Sequence, residues 1–153
     1  MIQRIQSLYL LISGILYALL FWLPLNEMIN GTHVIRLYIY GLYEVVGDTQ
    51  EIVSESYPTL ILSTIALIFS TISIFLFKNR KAQMRLSLYT SILSIGIAFL
   101  VFFFIYRISD NNHTGIGFSV GLLFPILSSF FSYMAFRAIK KDDDLIKSID
   151  RIR

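Results

Sequence analysis

The sequence predicts an all-α membrane protein: a four-transmembrane-helix antiparallel bundle with a small extracytoplasmic β-hairpin between helices 1 and 2 and a C-terminal cytoplasmic amphipathic helix. Hydrophobic residues make up 56% of the 153-residue chain, charged residues only 15%, and the mean hydropathy is +0.69. Four uncharged runs of 21 to 26 residues are each long enough to cross a hydrocarbon core of roughly 30 Å. Eleven of the thirteen Lys and Arg residues alternate with these runs. This pattern indicates a single membrane domain over residues 1–153.

The basic residues also predict the orientation of the chain. One of the eleven is Arg4, and the others lie in the segments 78–85 and 137–153. Because basic side chains near membrane spans are retained in the cytoplasm, both termini and the turn between spans 2 and 3 are expected there. The pI of about 9.2 is explained by this placement beside anionic lipid headgroups, so it does not indicate a nucleic-acid partner.

The first span is predicted over about residues 7–24, where Pro24 ends the helix and Trp22 lies at the membrane interface. Residues 25–57 then form an outer loop. Within this loop, His33 to Tyr40 and Leu42 to Val46 are rich in β-branched and aromatic residues, and a glycine separates them. This pattern predicts a β-hairpin that packs on the outer ends of the helices, because an isolated hairpin is marginally stable.

The remaining spans are predicted over about residues 58–77, 84–106 and 115–137. The short connection Lys78 to Lys81 makes spans 2 and 3 an antiparallel hairpin. Pro125 lies in the middle of the predicted fourth span and is expected to kink it. Residues 138–153 form the cytoplasmic tail, whose apolar residues recur at helical spacing opposite a charged face. This amphipathic helix is expected either to lie on the inner leaflet or to dock on a partner.

Small and hydroxyl residues recur at helical spacing in the spans. They indicate helix contact faces, because lipid is as apolar as leucine and close backbone approach must replace apolar burial. In the fourth span the predicted packing residues are Gly117, Gly121, Ser128 and Ser132. Gly117 and Gly121 form a GxxxG pair, for which packing within the chain is favoured and contact with a partner subunit is the alternative.

The predicted membrane interior contains no ionisable residue. Proton relays, most carriers and membrane enzymes place such groups there, so no catalytic residue, metal site or cofactor is predicted. The chain has no cysteine, which excludes thiolate sites and disulfides. A metal-dependent enzyme would need His33, His113 and acidic residues of the outer loop to converge, and this is the weakest alternative.

Three cytoplasmic motifs carry a resemblance to a known family: the opening Met1 to Gln6, the turn Lys78 to Leu86, and the ending, Arg137 to Asp142 together with Ser148 to Arg153. Together they resemble a family of four-span membrane proteins of Bacteroidota, the domain of unknown function DUF4293. The similarity extends over the whole chain. The resemblance implies a location in the bacterial inner membrane, and it assigns no activity and no catalytic residue.

The expected function is that of an accessory or structural subunit in a larger membrane protein complex, without catalysis. The expected partners are other membrane subunits and anionic lipid headgroups of the bilayer at the cytoplasmic face. The alternative is a protein that binds or transports a lipid or an apolar small molecule. The candidate interaction surface is basic and cytoplasmic, and it consists of Arg80, Lys81, Arg85, Arg137, Lys140 and Arg151.

Overall fold

The computed structural model describes residues 3–30, 33–46, 49–112 and 120–150. Over these ranges the chain is mostly helical. The α-helices are α1 Gln3–Leu20, α2 Tyr57–Phe75, α3 Arg80–Asn112 and α4 Leu123–Asp150. The strands between α1 and α2 are β1 Asn26–Asn30, β2 His33–Tyr38, β3 Gly41–Val46 and β4 Thr49–Glu55. Short 3-10 turns, Leu76–Lys78 and Val120–Leu122, precede α3 and α4.

Three helical segments within the described residues are long and apolar enough to cross a membrane: Tyr57–Phe75, Arg80–Asp110 and Val120–Ser148. The apolar part of α1, Ile5–Leu20, is shorter. α1 ends before the predicted position because the amides of Phe21 and Trp22 bond to carbonyls three residues earlier, which tightens the chain into a turn. The helices are those of a membrane protein, and large apolar side chains are exposed along their outer surfaces.

Each helix packs against two others. α1 lies between α2 and α4, and α3 also contacts both α2 and α4. The pairing of α1 with α4 is antiparallel, since Gln6 bonds to Asp142 while Ser13 bonds to Ser128. α3 runs antiparallel to α2, because it follows α2 after one short turn and Ser73 bonds to Ser87.

The outer loop forms a four-stranded antiparallel sheet, so the predicted two-stranded hairpin is wrong in extent. Each strand pairs with the next along the chain, in the order β1-β2-β3-β4. The predicted hairpin corresponds to β2 and β3. The prediction omits β1 and β4 because Asn and Glu are common in β1 and Gln and Glu in β4, and these residues carry little β-propensity of their own.

One face of the sheet closes the ends of the helices. Met28, Ile35 and Leu37 are buried on this face and join the same apolar cluster as Tyr17 of α1 and Ile105 of α3. The opposite face points away from the helices. It carries the Arg36–Glu27 ion pair at 2.9 Å and a cluster of tyrosine rings, in which Tyr38 stacks on Tyr40 and Tyr43 meets both rings edge-on.

α4 differs from the prediction at its start. The helix begins at Leu123, so Pro125 lies in its first turn, where the missing N–H has no intrahelical acceptor to lose. The predicted mid-span kink is therefore wrong. At its other end α4 continues unbroken to Asp150, a length of about 42 Å. Residues 138–150 of the predicted tail are the end of this helix.

Candidate functional site

Serine side chains connect α4 to its two neighbours. The Ser13 hydroxyl of α1 lies 2.6 Å from that of Ser128 and 2.8 Å from that of Ser132, and all three side chains are buried. Ser91 of α3 and Ser129 each donate to the other's backbone carbonyl at 3.1 Å. The predicted packing residues Ser128 and Ser132 thus lie together on the α1 contact.

Similar bonds hold α2. The Ser70 hydroxyl donates to the Leu10 carbonyl of α1 at 2.9 Å, and the Gln83 side chain of α3 donates to the Ser73 carbonyl at 3.0 Å. The Tyr17 hydroxyl reaches across the interior from α1 to Ser94 of α3. Buried polar groups along the interior are therefore largely paired with one another and fix the helices in register. Ser63 is an exception, since its buried hydroxyl has no hydrogen-bond partner in the described part of the chain.

The predicted GxxxG pair is only partly visible. Gly117 lies outside the described residues. Gly121 is in the 3-10 turn before α4, where it touches the carbonyl of Pro24, and a Cβ on it would fall 2.9 Å from Leu25 Cα. Gly121 is thus in close contact with the connection from α1 to β1 of the same chain.

The first cluster of basic residues, Arg80, Lys81 and Arg85, lies at the start of α3, and we call it the α3 basic cluster. Asn79 caps the helix, as its side-chain oxygen accepts from the Ala82 amide at 3.3 Å. The first turn has no acidic residue. Positive charge at a helix N-terminus opposes the helix dipole, so the cluster does not serve to stabilise α3. One guanidinium nitrogen of Arg80, Nη1, is buried and has no hydrogen-bond partner among the residues that the structure describes.

The second cluster lines a groove of about 840 Å³ between α1 and α4, which we call the α1–α4 groove. Its basic residues are Arg137, Lys140 and Lys141. The predicted interaction surface is therefore divided between two places, because none of the α3 basic cluster lines this groove. Arg151 of the predicted set lies outside the described residues.

The sequence interpretation missed the α1 wall of this groove and Lys141. Ile5 and Tyr9 form that wall, one helical turn apart on the same face of α1. Gln6, a polar residue in an otherwise apolar run, was the available signal: it is buried and donates to Asp142 of α4. A buried amide this close to a helix end indicates a polar partner on a neighbouring helix.

The end of α4 carries a local ion pair. The Lys147 ammonium donates to Asp143 one turn earlier. This hydrogen bond lowers the pKa of the Asp143 carboxyl, and the charges of Lys81 and Arg80 add to the effect. The same bond raises the pKa of Lys147. Asp143 therefore lies near the α3 basic cluster.

The two histidines do not build a visible metal site. His33 pairs with Glu44 across β2 and β3, with 3.3 Å between Nδ1 and the carboxylate. His113 lies outside the described residues. Over residues 3–30, 33–46, 49–112 and 120–150, no group of three or more His, Asp or Glu side chains is arranged to hold a metal ion.

Apolar helices of membrane length around a polar, paired interior, with a small sheet at one end, define an integral membrane protein. Within that class the chain belongs to the DUF4293 family, a domain of unknown function, whose family model matches residues 2–152. Comparison with curated proteins and with solved structures found no match in either.

Proposed function

We propose that the chain crosses the inner membrane of a bacterium four times, with both termini and the α2–α3 turn in the cytoplasm and the sheet outside. α1 pairs with α4 from Gln6 and Asp142 to Ser13 and Ser128, which supports its role as a fourth span beside the three longer helices. Its apolar part, Ile5–Leu20, is about 24 Å long, and the apolar residues Phe21, Trp22 and Leu23 extend the run towards the thickness of a thin hydrocarbon core. The basic residues of segments 78–85 and 137–153 support the orientation.

Within that membrane the protein acts as a non-enzymatic accessory or structural subunit of a larger complex. The α3 basic cluster carries this proposal. Arg80 and Lys81, in the first turn, oppose the dipole of their own helix. A partner with an acidic segment would offset this cost at the exposed Lys81 and would also bind the exposed Arg85, because a charge-assisted hydrogen bond to a carboxylate is about twice as strong as a neutral one.

The interior of the helices favours a structural role over the enclosure of an apolar ligand. Tyr17 and Ser94 meet across the centre, and Ser13 bonds directly to Ser128. Helices joined by their own hydroxyl groups are fixed relative to one another, whereas an enclosed apolar ligand needs a lining of apolar side chains. A metal-dependent enzyme has less support, since His33 is paired with Glu44.

The test is crosslinking in intact cells followed by purification in mild detergent. The wild-type chain is expected to recover a stoichiometric membrane partner. The variant Lys81→Glu/Arg85→Glu is expected to lose it, because both side chains are exposed and the reversed charge repels an acidic segment. The charge-matched control is Arg137→Glu/Lys141→Glu in the α1–α4 groove. The orientation of each variant is checked first, because these charges also set topology.

Repeated recovery of the free chain after crosslinking would contradict the proposal. Equal loss of the partner in both double variants would contradict the assignment of the contact to the α3 basic cluster. Retention of the partner by the control and its loss from Lys81→Glu/Arg85→Glu would support both.

A further inference from the structure

The α1–α4 groove has a chemistry that neither the family match nor the proposed subunit role explains. Every described residue that lines it belongs to α1 or α4, so it opens on the outside of the helix group instead of into the interior. Three of its apolar residues, Ile5, Tyr133 and Leu145, are 45 to 50% exposed. A groove of this kind beside a membrane-length helix is open to the surrounding lipid.

The lining changes character along α4. Tyr133 and Phe136 come first, with their rings stacked 6.0 Å apart. Arg137, Lys140 and Lys141 follow within the next two helical turns. On the other wall Tyr9 stacks against Phe131 of α4 at 6.4 Å, which holds the apolar part of the groove in shape. On the membrane side the groove is thus apolar, at Tyr9, Tyr133 and Phe136, and the basic residues follow along α4, with Ile5 and Leu145 beyond them.

The three basic side chains are available to a ligand. Arg137, Lys140 and Lys141 are exposed, and none forms an ion pair with another described residue. The acidic residues that line the groove do not form ion pairs with these three basic side chains. Asp142 accepts a hydrogen bond from Gln6 of α1, and Asp144 forms no ion pair with another described residue.

From these observations we infer that the α1–α4 groove binds one anionic glycerophospholipid. An acyl chain lies along Tyr9, Tyr133 and Phe136, and the phosphate lies among Arg137, Lys140 and Lys141. Basic pockets between membrane helices near the cytoplasmic surface recognise anionic headgroups in this way. A water-soluble phosphate compound would use only the cationic half of the groove. The inference depends on the membrane placement proposed above, but it requires no protein partner.

Native mass spectrometry of the delipidated chain, titrated with phosphatidylglycerol or phosphatidylcholine, tests the inference. The wild type is expected to bind the first phosphatidylglycerol about tenfold or more tightly than phosphatidylcholine. Arg137→Gln/Lys141→Gln is expected to weaken phosphatidylglycerol binding roughly 25-fold, since each basic side chain contributes about fivefold. The charge-matched control Lys81→Gln/Arg85→Gln, outside the groove, is expected to change it by less than about threefold.

A separate readout does not depend on charge variants. The chain has one tryptophan, Trp22, so Trp22→Phe/Tyr133→Trp moves the fluorescent reporter into the groove. Acyl-brominated phosphatidylglycerol is expected to quench this reporter more strongly than acyl-brominated phosphatidylcholine at equal mole fraction. A matched reporter on the lipid-facing surface, Trp22→Phe/Phe99→Trp, is expected to show no preference, because Phe99 is 74% exposed and away from the groove.

Several results would overturn the inference. One is equal affinity for the two lipids; another is equal weakening by the two double variants. Competition by millimolar inorganic phosphate that displaces the lipid completely would assign the site to a free anion. Failure of this test does not contradict the proposed role of the α3 basic cluster in partner binding. Loss of a protein partner from Lys81→Glu/Arg85→Glu does not contradict lipid binding in the groove. The two proposals therefore fail independently.

Discussion

The hydroxyl oxygens of Ser13 and Ser128 lie 2.6 Å apart at the buried contact between α1 and α4. Ser132 approaches the same Ser13 hydroxyl at 2.8 Å, so Ser13 can donate to one serine while it accepts from the other. In lipid, apolar burial does not distinguish helix contacts from lipid contacts, and such bonds together with close packing hold helices together. This pair therefore joins the shortest apolar helix to α4.

Removal of this contact is expected to lower stability by a small, measurable amount. In a double-mutant cycle with Ser13→Ala and Ser128→Ala, the coupling free energy is expected to be about 0.6 kcal/mol and below about 1.7 kcal/mol. Unfolding in mixed micelles provides the measurement. Thr71→Ala is the control, because its hydroxyl bonds within its own helix to the Leu67 carbonyl and is exposed. A coupling energy of zero would mean that the serines do not hold α1 against α4.

Gly121 is expected to be intolerant of a methyl group. Gly121→Ala places a Cβ against the Pro24 carbonyl and 2.9 Å from Leu25 Cα, and both obstacles are backbone. Overpacking of this kind costs about 1 to 3 kcal/mol, so the thermal midpoint should fall. Gly96→Ala is the matched control, since a Cβ there meets nothing within 4 Å and alanine favours the helix. Equal midpoints for the two variants would rule out the close contact.

Two neighbouring residues of β1 test the placement of the sheet. Met28 is 2% exposed on the face that covers the helices, whereas Ile29 is 74% exposed on the opposite face. Met28→Ala is expected to destabilise the protein by about 2 to 5 kcal/mol through lost burial and a cavity. Ile29→Ala is expected to change stability by less than about 0.5 kcal/mol. If Ile29→Ala proves the more damaging in a denaturation series, the sheet packs by its other face.

The Asp143 carboxyl is expected to titrate below its ordinary range, with Lys147 as the main cause. The pKa of Asp143 is lowered first by the hydrogen bond from Lys147 and less by the charges of Lys81 and Arg80. Lys147→Gln should therefore raise this pKa more than Lys81→Gln, as measured by carboxyl-carbon NMR in micelles. Because the folded-state pKa is depressed, the stabilisation is present at neutral pH and is lost as the pH falls through the acidic range. An identical shift in both variants would contradict the pairing.

Hydropathy predicts the helices well because length in an apolar run is a direct physical requirement of the bilayer. It places the boundaries less well. α4 begins at Leu123 since Gly121 is held in a tight turn against Leu25, and no local pattern reports that contact. Similarly, β1 and β4 form because β2 and β3 offer free edges. Strand pairing decides their structure more than the propensity of their own residues does.

The residues of the candidate sites are likewise predicted only in part from the sequence. Spacing of small residues identifies Ser128 and Ser132, but the partner Ser13 depends on how α1 is aligned with α4. Charge patterning identifies Arg137 and Lys140, but the groove that they line also requires Tyr9, more than 120 positions away in the chain. Contacts between distant segments are set by tertiary packing, which no single segment encodes.

The orientation of the four proposed spans is the central claim, and cysteine labelling tests it most directly. The chain has no cysteine, so single variants Gln3→Cys, Val53→Cys, Lys81→Cys and Asp144→Cys can be treated with a membrane-impermeant maleimide. In cells with a permeabilised outer membrane, Val53→Cys on the exposed strand β4 is expected to react. The other three are expected to react only after the inner membrane is opened. Reaction of Gln3→Cys from the outside would remove α1 as a span and contradict the four-span account.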